Sequence, residues 1–111
     1  MDWLSEVQRE FEKAEQARAR GNEGQARVCA RRAAGIAARE HFTRRGLHPR
    51  TSSAYDLLRL VSEDMSIATN LRESAARLTL RVDEEFKLPA GFDLIAEAKR
   101  LCEGLAGQFQ T

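Results

Sequence analysis

The residues of this sequence best suited to chemistry are arginines that cluster in the first half of the chain. Between Arg27 and Arg50 there are seven arginines and a single acid, Glu40. A guanidinium group is planar and binds phosphate or carboxylate through two parallel hydrogen bonds. The cluster therefore predicts a site for an anion such as a nucleotide or an RNA backbone. The candidate residues are Arg31, Arg32, Arg39, Arg44 and Arg45.

The same arginines have a second interpretation, in which they form ion pairs within the protein. Arg44 and Arg45 fall at a predicted helix C-terminus, where the helix dipole favours positive charge. Acids are available on other segments, at Glu6, Glu10, Glu12, Glu15, Asp83, Glu84 and Glu85. Because the whole chain carries a net charge of only +1, internal or intersubunit pairing is favoured over anion binding.

The remaining reactive side chains show no spacing typical of catalysis. His41 and His48 match no metal-ligand motif, and the scattered glycines form no phosphate-binding loop. Cys29 and Cys102 occupy apolar helix positions and are expected to be buried, reduced thiols. We therefore expect no catalytic residue, no metal and no cofactor. The alternative is a ribonuclease with a non-standard site around Arg44 and the two histidines.

Length and composition point to one all-α domain. The chain has 111 residues, of which 17 are alanine and 15 arginine, and both types favour helices. No apolar stretch is long enough to span a membrane, and the acidic N-terminus lacks the pattern of a signal peptide. We expect a single cytoplasmic domain over residues 2–106, followed by a frayed tail at 107–111.

Capping residues and apolar spacing predict five helices. The expected helix starts are Asp2, Asn22, Ser52 or Ser53, Thr69 or Asn70, and Asp93. The second helix runs from Glu23 to Arg45, and Gly46 is placed to end it. The fourth carries Leu71, Ala75, Leu78, Val82 and Phe86 on one face, before Pro89 and Gly91 break it. Short loops predict an up-and-down four-helix bundle, to which the short third helix is added.

The predicted second helix has two apolar faces. One is nearly all alanine, which permits close packing and makes this the central helix. The opposite face, at about 160–200° from Ala26, carries Val28, Gly35 and Phe42 at seven-residue intervals. Since a mid-helix glycine costs about 1 kcal/mol relative to alanine, Gly35 indicates a close helix contact. We predict that this seam pairs two copies of the chain in a homodimer. The alternative is that other parts of the same chain cover it.

The order of these features resembles a HEPN domain (higher eukaryotes and prokaryotes nucleotide-binding). The resemblance covers residues 2–105 and depends on helix order and short sequence patches. The patches are Trp3-Leu4, Ala14–Ala17, Gly21–Gly24, Ala30–Ala37, His41–Pro49, Ser53–Leu58 and Leu80–Pro89, with a last helix from Asp93 to Leu105.

Membership of that family implies a four- or five-helix bundle that is commonly dimeric. It also implies a toxin–antitoxin or defence context with a minimal nucleotidyltransferase as partner. Active members are metal-independent ribonucleases in which four to six residues separate an arginine from the histidine that follows it. Here Arg39 and Arg44 precede His41 and His48 by shorter spacings, and the fourth helix has no histidine. We therefore expect a non-catalytic interaction or binding module; the alternative is a nucleotide or RNA binder that uses the basic second helix.

Overall fold

The computed structural model describes residues 2–80 and 93–109, and within these ranges the chain is an all-α bundle, as predicted. The helices are α1 (Trp3–Ala19), α2 (Glu23–Arg44), α3 (Ala54–Glu63), α4 (Thr69–Leu78) and α5 (Leu94–Phe109). None of these helices is both long and apolar enough to cross a membrane.

Side-chain caps set the start of most helices, as the sequence predicts. The side chains of Asp2, Asn22 and Ser53 accept hydrogen bonds from backbone N–H groups in the first turns of α1, α2 and α3. Asp93 does the same for α5. These bonds satisfy donors that have no partner inside the helix. The predicted role of Gly46 is also confirmed, because it follows α2 with a φ of 79°.

The long α2 helix is the centre of the bundle, and this prediction is confirmed. It packs against α1, α3 and α5, while α4 contacts α3 and α5 and so closes a ring of four helices. The alanines of α2 that face these neighbours are fully buried: Ala26, Ala30, Ala33, Ala34, Ala37 and Ala38. A helix without bulky side chains allows three partners to approach its axis closely.

Two helix ends differ from the predicted ones. We predicted that α4 would continue to Phe86, but it ends at Leu78. The hydroxyl of Thr79 bonds back to the carbonyl of Ala76, and Leu80 makes a tighter i→i−3 backbone bond. Val82 and Phe86 lie outside the described residues. The last helix, α5, extends through Phe109, past Leu105, where the predicted last helix ends.

Candidate functional site

A groove with a volume of about 540 Å³ lies between α2 and the first turn of α3. Its lining includes three of the predicted anion-binding residues, Arg31, Arg32 and Arg39. The described lining contains one acid, Glu6, and neither histidine nor cysteine. This volume lies within the range of small-ligand sites, about 300–1,000 Å³. The groove therefore concentrates positive charge in a space of ligand size.

Helical spacing and one glycine explain why the groove forms here. Val28, Arg32, Gly35 and Arg39 follow one another at three- and four-residue intervals and therefore share one face of α2. A Cβ atom on Gly35 would lie 2.9 Å from the Cβ of Ala54 in α3. Only glycine permits this approach, which brings the start of α3 against the arginines of α2.

The predicted self-association seam needs correction at two of its three residues. Gly35 is buried against Ala54 of the same chain, and Phe42 is only 5% exposed. Val28 alone stays exposed, at 37%. The alternative interpretation was therefore the right one: α3 and the core cover most of this face. The close helix contact indicated by Gly35 exists, but its partner is within the chain.

Arg31 is held in the groove by contacts with two other helices. Its Nε donates to the carbonyl of Leu78 at 2.8 Å, and its Nη2 to the carbonyl of Leu80 at 3.2 Å. Its guanidinium also lies over the Tyr55 ring, 5.3 Å from the ring centre, a cation–π geometry. Burial lowers the pKa of Arg31, and the nearby charge of Arg27 adds to this effect, whereas Tyr55 opposes it.

The charge of Arg31 has no carboxylate partner among the described residues. All the hydrogen bonds that Arg31 donates to these residues go to backbone carbonyls, which carry a dipole but no net charge. Half-buried charges are costly unless an opposite charge is close. An anion in the groove would supply that charge.

The other two arginines of the groove are more exposed. Arg39 donates through Nη2 to the carbonyl of Thr51, in the connector before α3. Arg32 makes neither a hydrogen bond nor an ion pair to any residue in the described ranges. Neither side chain is paired with a carboxylate there, so both are available to an anion.

Arg44 and Arg45 lie outside this groove and have acidic partners. Arg44 Nε bonds Glu40 at 2.8 Å, one helical turn earlier. Arg45 Nη1 bonds Asp64 at 2.8 Å and the hydroxyl of Ser66 at 2.7 Å. The structure thus separates the five predicted anion-binding residues into a groove group of three and a C-terminal group of two. The predicted partners on α1 are not the ones used.

His41 lies beside the C-terminal group and inside the protein. It is 5% exposed, with Nε2 at 3.9 Å from Asp64 Oδ2 and its ring edge-on to Phe42. Burial lowers the pKa of His41; Arg45 lowers it further, and Asp64 opposes the shift. His48 is exposed in the connector after α2. No described hydrogen bond joins the two histidines, so their geometry does not favour the alternative ribonuclease site.

The cysteines are buried, as predicted, and neither lines the groove. Burial raises the pKa of Cys102 to about 12, and its thiol contacts the carbonyl of Ala33 at 3.7 Å. Such a thiol is unreactive at neutral pH. Among the described residues there is also no group of three or more potential metal ligands.

Sequence reasoning missed the part of the groove that α3 supplies. Ser53 was predicted only as a helix cap, and Tyr55 only as a position in the third helix; both line the groove opposite the arginines. The N-terminus of α3 adds partial positive charge there. A usable signal was the pairing of Gly35 with a small residue, Ala54, at the start of a helix. That signal becomes specific only once the two helices are known to touch.

Comparisons with known protein families, with curated proteins and with solved structures find no match to this chain. The class of the protein therefore follows from its own geometry, which is that of an all-α bundle with a basic groove between its central helix and α3.

Proposed function

We propose that this protein is a binding module that holds a small anionic ligand, through a phosphate or carboxylate group, in the groove between α2 and α3. The observation that carries the proposal is Arg31, half-buried in the groove with no carboxylate partner among the described residues. Arg32 and Arg39 lie on the same face of α2 and add two further guanidinium groups. Three such groups against one acid favour a bound anion.

A small ligand fits these observations better than an RNA backbone does. RNA affinity comes from many phosphate contacts along an extended basic surface. Here the overall charge is +1, and the positive side chains converge on one groove. The C-terminal group adds little, because Glu40 and Asp64 already neutralise it.

The more specific expectations stay predictions. These are the HEPN resemblance, the homodimer, the nucleotidyltransferase partner and the toxin–antitoxin context. Because α3 covers Gly35 and core contacts bury Phe42, a homodimer would need a surface other than the predicted seam. The non-catalytic role also stays a prediction.

Titration with inorganic phosphate at constant ionic strength tests the proposal. Backbone amide chemical shifts are followed by NMR, and we expect saturable changes at Arg32, Arg39 and residues 52–55. Replacing Arg32 and Arg39 together by glutamine should weaken phosphate binding at least about tenfold, or 1.4 kcal/mol. The matched control replaces Arg44 and Arg45 by glutamine and should leave the affinity unchanged. No saturable shift, or equal weakening in both double variants, would contradict an anion site in this groove.

A further inference from the structure

The guanidinium group of Arg31 serves two regions of the molecule at once. Leu78 is the last residue of α4, and the carbonyls at a helix C-terminus have no N–H partners within the helix. Arg31 reaches from α2 and donates to the carbonyls of Leu78 and Leu80 at 2.8 and 3.2 Å. The C-terminal end of α4 is therefore held by a side chain that also lines the groove.

The donors used at α4 leave part of the guanidinium available. Arginine has five N–H donors, and the bonds to Leu78 and Leu80 use one on Nε and one on Nη2. In the described ranges, Nη1 makes no hydrogen bond. The edge formed by Nη1 and the second Nη2 hydrogen can accept an anion while the α4 contacts persist.

We propose that Arg31 couples anion binding in the groove to the formation of the last backbone hydrogen bonds of α4, those donated by Thr79 and Leu80. This inference rests on the proposed function, since it assigns a regulatory consequence to the same site. Holding a long arginine side chain in one conformation costs entropy. When the α4 carbonyls already hold Arg31, an anion binds without that cost. An anion that supplies the missing counter-charge in turn keeps Arg31 on α4. Coupling between two sites is reciprocal, so each event stabilises the other.

Amide hydrogen exchange at the end of α4 reports this coupling. The N–H groups of Thr79 and Leu80 donate to the carbonyls of Ala76 and Arg77. These two amides exchange only when those hydrogen bonds open. With saturating inorganic phosphate, exchange at these two amides should slow by about three- to tenfold, a shift expected for a coupling of about 1 kcal/mol. Amides of residues 14–18 in α1, none of which lines the groove, serve as the internal reference.

Two lysine variants distinguish the hydrogen bonds that Arg31 makes to the end of α4 from its positive charge. Arg31→Lys keeps a positive charge but removes the fork that bridges two carbonyls and an anion. Because Arg31 is part of the anion site, phosphate should bind this variant more weakly than the wild type. At saturating phosphate, judged by the groove amide shifts, exchange at Thr79 and Leu80 should no longer respond. Arg44→Lys is the matched control and should keep both phosphate binding and the response, since Arg44 lies outside the groove and pairs with Glu40.

The outcomes distinguish this inference from the proposed function. If wild-type protein shows saturable groove shifts while exchange at Thr79 and Leu80 stays constant or accelerates, the coupling is wrong and the anion site stands. A preserved response in Arg31→Lys would likewise overturn the role of Arg31. If no groove shift occurs with phosphate, the binding function and the coupling are both wrong.

Discussion

The α2 helix and Arg45, the residue that follows it, carry two groups of arginines that have different neighbours. Arg44 and Arg45 each meet a carboxylate, from Glu40 and Asp64. Among the described residues, Arg31 and Arg39 donate hydrogen bonds only to backbone carbonyls, and Arg32 makes neither a hydrogen bond nor an ion pair. The charge is neutralised at the helix end and left available in the groove. The elements packed against an arginine therefore decide whether it is structural or open to a ligand.

The largest change in stability should come from substituting Gly35, the residue that allows α3 to form one wall of the groove. We expect Gly35→Val to lower the free energy of unfolding by about 2–3 kcal/mol, because the new side chain collides with Ala54. Urea denaturation followed by circular dichroism measures the change.

The control for this variant is Gly107→Ala, in α5, where a Cβ would meet nothing within 4 Å. Alanine is the better helix former there, so stability should be unchanged or slightly higher. An equally stable Gly35→Val variant would show that α3 does not depend on this contact.

The next effect compares one arginine from each group directly. Arg31→Met leaves the carbonyls of Leu78 and Leu80 without their donor, and should cost about 1–2 kcal/mol of stability. Arg44→Met removes an exposed pair with Glu40 one turn away, which is worth only about 0.3–0.5 kcal/mol. Paired denaturation curves measure both. Equal losses of stability would mean that the hydrogen bonds of Arg31 to Leu78 and Leu80 contribute no more than a surface ion pair does.

The smallest effect concerns pH and the C-terminal group. The pKa of His41 is lowered in the folded protein, so the unfolded chain binds more protons as the pH falls through about 6.5. Stability should therefore decrease from pH 7 towards pH 5. The carboxylate of Asp64, whose pKa is also lowered, loses its contribution only in a separate window below about pH 4.

Arg45→Gln tests the cause of this slope. Removing the positive charge beside His41 should raise the histidine pKa towards its ordinary value and flatten the decrease between pH 7 and pH 5. Replacing Arg32 by glutamine is the control and should leave the slope as it is in the wild type, because Arg32 is not among the charges that act on His41. A slope unaffected by Arg45→Gln would leave burial as the cause of the lowered His41 pKa and contradict a contribution from Arg45.

The local features of the fold were predictable from the sequence. Asp2, Asn22, Ser53 and Asp93 cap helices where their residue types indicate, because a cap is a contact between residues two or three positions apart. The central position of α2 was also predictable, because its alanine face can be recognised from the spacing of residues within one helix. The end of α4 was not predictable, since apolar spacing continues past Leu78. Arg31, 47 residues away in sequence, is the side chain that holds that end.

The sequence by itself determined that α2 would be basic, helical and closely packed. Only the tertiary structure decided which of its arginines keep their charge available and what Gly35 contacts. Composition and periodicity describe one helix at a time, so they identify Arg31 and Arg45 as equivalent cations. The contacts that distinguish them, to Leu78 and to Asp64, join segments that are distant in the chain. Such contacts exist only after packing has brought α3 against α2 and the end of α4 within reach of Arg31. That packing turns a compositional excess of arginine into a groove.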